Sequence, residues 1–187
     1  ILEEFKSMLI YENKKLNLIS KSTEQNSINR HIIDTAQITD IIDKNSNICI
    51  DLGSGSGLPG IVLAIIFKDK KEFKFKLYEK SSRKSIFLKK VITHFKLNAE
   101  VKQKNVFKEK KIHADIVVAR AFKPLPVILE LIHKKFNNPK ELIFFLGRSG
   151  NSTLKLSRQK WHFDYEVIKS ITDTNSIIVK INNLKKK

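Results

Sequence analysis

Apolar residues recur at helical spacing along the first stretch of the chain. Leu2, Phe5, Leu9, Leu16 and Ile19 stand among Glu and Lys and predict an amphipathic helix running to about Lys15. Asn17-Leu-Ile-Ser20 is a polar break. A second helix is expected from a cap at Ser27 or Asn29 through Ile42, with Ile28, Ile32 and Ile38 on its inner side. The pattern then shortens. Ile48-Cys-Ile50 reads as a buried strand closed by Asp51, and Leu58 to Phe67 as an apolar helix. Phe73 to Tyr78 alternates as a second strand. A helix capped by Ser81 or Ser82 follows, with Ile86, Phe87, Val91, Ile92 and Phe95 on its apolar face. Ala99 to Gln103, Asp115 to Ala119 and Glu141 to Leu146 are further strands. Pro124 and Pro126 open a helix from Leu125 to Phe136, and a short helix covers Leu154 to Lys160. Phe163 to Ile168 and Ser176 to Ile181 pair as a hairpin across Thr172 to Asn175.

These elements predict an α/β chain with a mostly parallel sheet and an antiparallel C-terminal hairpin. Residues 1–45 form a helical cap lying against the sheet, and 46–187 form the sheet domain, the two making one compact unit. The length of 187 residues and 41% hydrophobic content support a sizeable core. The longest apolar run is about half the roughly 20 residues a membrane helix needs, so no membrane partner is expected. Cys49 is the sole cysteine, which excludes an internal disulfide, and its place in a buried strand marks a core thiol.

The candidate chemistry lies in Asp51-Leu-Gly-Ser-Gly-Ser-Gly57 and the Leu-Pro-Gly60 that follows. Alternating glycines between a strand and a helix let a ligand approach the backbone, beside unpaired helix N–H groups. Two frames fit. Gly55-Ser-Gly57-Leu-Pro-Gly60 matches the dinucleotide fingerprint of an NAD(P)-dependent oxidoreductase. Asp51 to Gly57 matches the D-x-G-x-G-x-G loop of S-adenosylmethionine (SAM) methyltransferases. The second frame fits better, because the glycines begin two residues after the strand's acid. The terminal hairpin also favours it over an all-parallel dehydrogenase sheet. Glu79 ends the second strand roughly 20 residues beyond the loop, the spacing of an acid that accepts from a ribose. Asn105 and Val106 follow the third strand, where an adenine ring would sit. Gly55 stands mid-loop, and Gly55→Asp is expected to crowd it. Arg30 and Asp34, one turn apart, suit either a surface ion pair or a substrate contact.

The formal net charge of +17 points to a nucleic acid backbone as partner, although Lys, Ile and Asn are abundant everywhere and part of the excess is compositional. Phe122 and Trp161 are the candidates for stacking a base, with core packing the better reading of Trp161.

Together the motifs resemble the bacterial family of 16S ribosomal RNA guanine-N7 methyltransferases, also called glucose-inhibited division protein B. The residues that carry the resemblance are Asn17-Leu-x-Ser20, Arg30-His31-Ile-x-Asp34, the loop from Asp51 to Gly60 with its Pro-Gly ending, Lys84-x-x-Phe-Leu88 and Ala119-Arg-Ala-Phe122. The resemblance implies a Rossmann-like SAM-dependent methyltransferase fold. It implies SAM as cofactor and 16S ribosomal RNA or a small-subunit particle as partner, with a monomer acting in the cytoplasm. It also implies that Gly53 and Leu58 line the SAM pocket, that Asn105 and Val106 flank the adenine, and that Arg120 meets the cofactor's end or the target. Arg120 is thereby the one candidate catalytic residue. Arg30, His31, Lys123 and Arg148 are expected toward the substrate. Two departures stand out. Glu12 replaces a tryptophan before the cap asparagine Asn13. Leu146-Gly147 replaces a lysine-glycine pair, so that Arg148 would supply the cation. A non-catalytic basic RNA-binding or assembly factor is the remaining alternative.

Overall fold

The computed structural model describes residues 1–19 and 26–187, with only the backbone of residues 26 and 27. Ser20 and the side chain of Ser27 therefore lie outside the described residues. The elements are α1 (Leu2–Leu16), α2 (Asn26–Gln37), a 3-10 turn (Ile38–Asp40), β1 (Ile48–Leu52), α3 (Gly60–Ile66), β2 (Lys74–Tyr78), α4 (Ser82–Phe95), β3 (Ala99–Lys102), a 3-10 turn (Val106–Lys108), β4 (Ile116–Arg120), α5 (Leu125–Lys135), β5 (Glu141–Leu146), α6 (Gly150–Lys160), β6 (Trp161–Lys169) and β7 (Ile177–Lys186).

The strands form one sheet in the order β3-β2-β1-β4-β5-β7-β6. β1 to β5 pair in parallel, while β7 runs antiparallel to both β5 and β6. Chain order reverses at β1 and β4. In an open α/β sheet such a switch point leaves a crevice at the carboxyl ends of the strands. Each central strand feeds two cores because successive side chains point to opposite faces. Ile116 and Val118 of β4 join α1 to α4 on one face, whereas Val117 and Ala119 join α5, Leu154 and Trp161 on the other. Cys49 is fully buried in the first of these cores.

Several boundaries move. Ile86 does not belong to the inner face of α4: it is 62% exposed, and Phe87, Leu88, Val91 and Phe95 form the buried stripe instead. Ser81, not Ser82, caps that helix by accepting from the Lys84 N–H. The second helix ends at Gln37 and tightens into a 3-10 turn. β6 and β7 are longer than their apolar cores, since backbone pairing continues through polar residues as far as Trp161 opposite Lys186. The two N-terminal helices share the core on the α3 and α4 face. α1 packs over α4, with Glu12 pairing with Lys90 at 2.6 Å and Glu4 with His94 at 2.7 Å, and α2 packs over α3.

Lys180 of β7 carries one tie between the sheet and the segment after the first 3-10 turn. Its Nζ pairs with the Glu141 carboxylate on β5 and donates to the Ile41 carbonyl at 2.6 Å, while Glu141 Oε2 accepts from the Asp43 N–H at 3.0 Å. Glu141 is buried, so removing the cation strands a charge. Lys180→Met is expected to lose about 3 kcal/mol in urea unfolding. Lys180→Met combined with Glu141→Gln is expected to recover most of that loss; a double variant no better than the single would refute the pairing.

Candidate functional site: a nucleoside cleft at the carboxyl edge of the sheet

The glycine loop leaves β1 and turns back beneath β2. Gly53 and Ser54 both donate to the Tyr78 carbonyl, at 2.9 and 3.0 Å, and Gly57 donates to the Ser54 carbonyl at 2.7 Å. Gly53 takes φ 71° and Gly57 φ 91°, a region that residues with a Cβ avoid. The last glycine answers a different need. Asp51 Oδ2 accepts the Gly60 N–H at 3.1 Å, and a Cβ at Gly60 would lie 2.5 Å from that oxygen. Asp51 thus clamps the start of α3 to the strand that precedes the loop. Burial pushes its carboxyl up to about 7.

Glu79 fixes the loop from the other side. Its Oε2 accepts from the Gly55 N–H at 3.0 Å and its Oε1 from the Ser81 N–H at 2.7 Å. A carboxylate has about four acceptor positions, so ribose hydroxyls can still be accepted. Between these groups lies a cleft of about 370 Å³, lined by Gly53, Glu79, Asn105, Val106 and Phe122, with Lys80, Lys84, Lys104 and Lys123 at its walls. Asn105 Oδ1 accepts the Phe107 N–H at 3.1 Å and caps the turn that presents Val106. A bare backbone at Gly53, an acid at the end of β2 and a small apolar wall at Val106 fit a nucleoside with its ribose and base. Tyr78 and Phe107 also line the cleft. Phe107 is an exposed aromatic with no periodic partner, and only its position beside Asn105 and Val106 would have flagged it.

Of the predicted site residues, Gly53, Glu79, Asn105, Val106 and Lys123 come together here. Asp51, Gly55 and Leu58 do not line the cleft. Asp51 and Gly55 act on its frame, and Leu58 packs into the core beside α3. At Gly55 a Cβ would meet only the Gly53 carbonyl oxygen at 3.6 Å, so crowding is not the consequence of a side chain there.

Arg120 faces a neighbouring pocket of about 210 Å³ that shares Ala121 with the cleft wall. Its partner is Asp34, and this corrects the expected surface pair: Asp34 does not bind Arg30. Asp34 is 3% exposed, takes Arg120 Nη2 at 3.4 Å, and accepts from Ser170 Oγ and Thr172 Oγ1, both at 2.8 Å. The Arg120 guanidinium also lies over the Phe145 ring, 5.2 Å from its centroid. Helical spacing brings Arg30 near Asp34, but Arg30 points to solvent while the long-range partner lies under α2. Arg30 and Arg148 make no ion pair among the described residues, and their charges reach Asp173 in the β6–β7 turn only as weak long-range effects. That carboxyl is lowered first by its bonds from Ser176 and Asn175, with both cations adding to the effect. His31 is half-buried with no partner for Nδ1 among the described residues; burial and then Arg120 pull it down to about 4.

Fold and cleft define a SAM-dependent methyltransferase. The solved structure of TYW2 from M. jannaschii in complex with AdoMet superposes at TM-score 0.61, with 17% identity over 84% of this chain and 77% of that one. The chain belongs to the GidB family, rRNA small subunit methyltransferase G, whose model matches residues 1–180. A relative in Pelagibacter ubique, a ribosomal RNA small subunit methyltransferase G, is 49% identical over 98% of this chain and 87% of its own length. One of the same name in Cereibacter sphaeroides is 33% identical over 98% and 89%. The cofactor is SAM, and the dinucleotide frame of the glycine loop is not favoured. No helix among the described residues is long and apolar enough to cross a membrane.

Asp51 and His31 pull stability in opposite directions in acid. The raised Asp51 carboxyl contributes stability that is complete below its ordinary 3.8 and lost as pH rises through about 7. The depressed His31 contributes stability that is complete above 6.5 and lost as pH falls through about 4. Relative to the parent, Asp51→Asn is expected to make the melting temperature climb more steeply with pH across this window. His31→Gln is expected to make it climb less. Three parallel curves would contradict both assignments.

Proposed function

We propose that this chain transfers the methyl group of SAM to N7 of a guanine in 16S ribosomal RNA. The observation that carries the reading is the family match across residues 1–180, together with a nucleoside-shaped cleft at the switch point of the sheet. Glu79 would hold the ribose, Val106 and Asn105 the adenine, and Gly53 would let the chain of the cofactor pass close to the backbone. SAM supplies a methyl group on a sulfonium, poised for in-line displacement. Guanine N7 carries an exposed lone pair, so no proton has to be removed before attack. Holding the two groups in line is then most of the catalysis. Arg120, fixed by Asp34 and Phe145, would brace the wall shared with the target side, and Arg30, His31 and Arg148 would meet RNA around the β6–β7 turn. Lys80, Lys104 and Lys123 near the mouth would attract phosphates. In this reading 1–45 is a cap on a 46–187 catalytic domain, and the protein is a cytoplasmic monomer acting on bare 16S RNA or a small-subunit particle.

The test is methyl transfer from labelled SAM to undermethylated small subunits, bare 16S RNA, tRNA and a protein lysate, with the product nucleoside identified by mass spectrometry. Label is expected as 7-methylguanosine in ribosomal RNA. SAM binding with no label anywhere would overturn the reading in favour of a non-catalytic assembly factor. Glu79→Gln keeps the shape but loses the charge that accepts backbone and ribose hydrogen bonds. It is expected to weaken SAM binding about tenfold by calorimetry, and unchanged affinity would remove Glu79 from the site.

A further inference from the structure

A further concavity adjoins the cofactor cleft, sharing Phe107 with it where the Arg120 pocket shares Ala121. It lies between α5 and the start of β6 and has a volume of about 400 Å³. Its floor is apolar: Trp161 is almost wholly buried, but Val127 and Phe107 are 40% and 38% exposed with no core to join. Phe107 stacks on Phe122 at 6.0 Å with the rings 23° apart, so an aromatic pair runs from the cleft wall to the pocket. The rim is cationic. Lys134 pairs with Glu130 at 2.8 Å, and Lys186 approaches the same carboxylate at 3.9 Å, which neutralises the pocket's acid. Lys135 and Lys160 make no ion pair among the described residues and are left as free cations at the edge.

We propose that this pocket takes an unpaired nucleobase of the substrate RNA beside the cofactor cleft, with Lys135 and Lys160 on the flanking phosphates. The inference rests on RNA being the substrate. Aromatic and aliphatic surface accepts the face of any base, and cations spaced along the rim follow the backbone charge. An acidic peptide would satisfy the lysines but leave the exposed Phe107 and Val127 without planar partners. The shared Phe107 also places the pocket directly beside the cofactor cleft. A base seated there would hold the RNA in register and pull adjacent nucleotides out of stacking.

Trp161 is the sole tryptophan, so its emission reports on this pocket. The full chain would be titrated with a single-stranded oligoribonucleotide of about eight nucleotides, within the ~4–16 that one binding groove spans, and in parallel with a poly-glutamate peptide. The oligonucleotide is expected to quench or shift Trp161 emission and the peptide to leave it unchanged. Lys135→Glu with Lys160→Glu is expected to weaken RNA binding at least tenfold and to lower the salt slope of log K by about 1.4. Val127→Glu should weaken binding with less change of slope. SAM affinity by calorimetry, unaltered in both, verifies the fold. Loss of affinity in the variants supports the pocket whether or not the parent methylates RNA. Parent-like affinity and slope in the variants would overturn it even where methyl transfer is active. Equal quenching by poly-glutamate would overturn it in favour of an acidic protein partner.

Discussion

A buried carboxylate holding one backbone N–H sets the geometry of this protein. Asp51 accepts from Gly60 at 3.1 Å and so joins the end of β1 to the first residue of α3. The intervening loop has no freedom to drift, because both of its ends are fixed to one side chain. That contact also explains the sequence around it. Only glycine fits against the Asp51 oxygen at the helix start, so the glycine that ends the motif follows from the acid nine residues earlier. An Asp whose ionisation is opposed by burial holds the turn, and it sits behind the candidate cleft.

The same device recurs along the carboxyl edge. Glu79 joins the glycine loop to the start of α4, and Asp34 joins α2 to the β6–β7 turn and to the last residue of β4. Gln37 adds to the latter, donating to the Lys169 carbonyl at 2.7 Å and accepting from Ile171. Elements far apart in sequence are therefore tied at the edge that carries the candidate cleft. Through Asp34, α2 thus meets both Arg120 and the terminal hairpin.

Much of this was legible. The parallel strands declare themselves as short apolar runs because both faces are buried, and β5 falls on its expected residues. The glycine loop, Glu79, Asn105 and Val106 are readable because strand ends in an open sheet share one edge. Other features escape for physical reasons. Periodicity cannot choose between Ile86 and Leu88 on a helix where either completes a stripe. Local spacing proposes Arg30 for Asp34, whereas the buried partner comes from β4 and is decided only by packing. The polar ends of β6 and β7 are held by backbone pairing, which leaves no side-chain pattern. Phe107 and the apolar pocket beside α5 arise from the meeting of three segments, and none of them is unusual alone.

The distribution of charge completes the account. A net +17 spread over the whole surface is no guide to a binding face, since lysine is abundant everywhere in this chain. Pairing is more informative. Several surface lysines are engaged with nearby acids, as at Glu12, Glu100 and Glu130. The cations that line the cofactor cleft and the adjoining apolar pocket include Lys80, Lys84, Lys123, Lys135 and Lys160, none of which makes an ion pair among the described residues. A reaction that needs no proton removed asks its protein chiefly to bring a large polyanion to one atom in one orientation. Unneutralised cations beside apolar, aromatic surface would meet that demand with long-range attraction and short-range registration, and in this fold both line the candidate cleft and the pocket beside it.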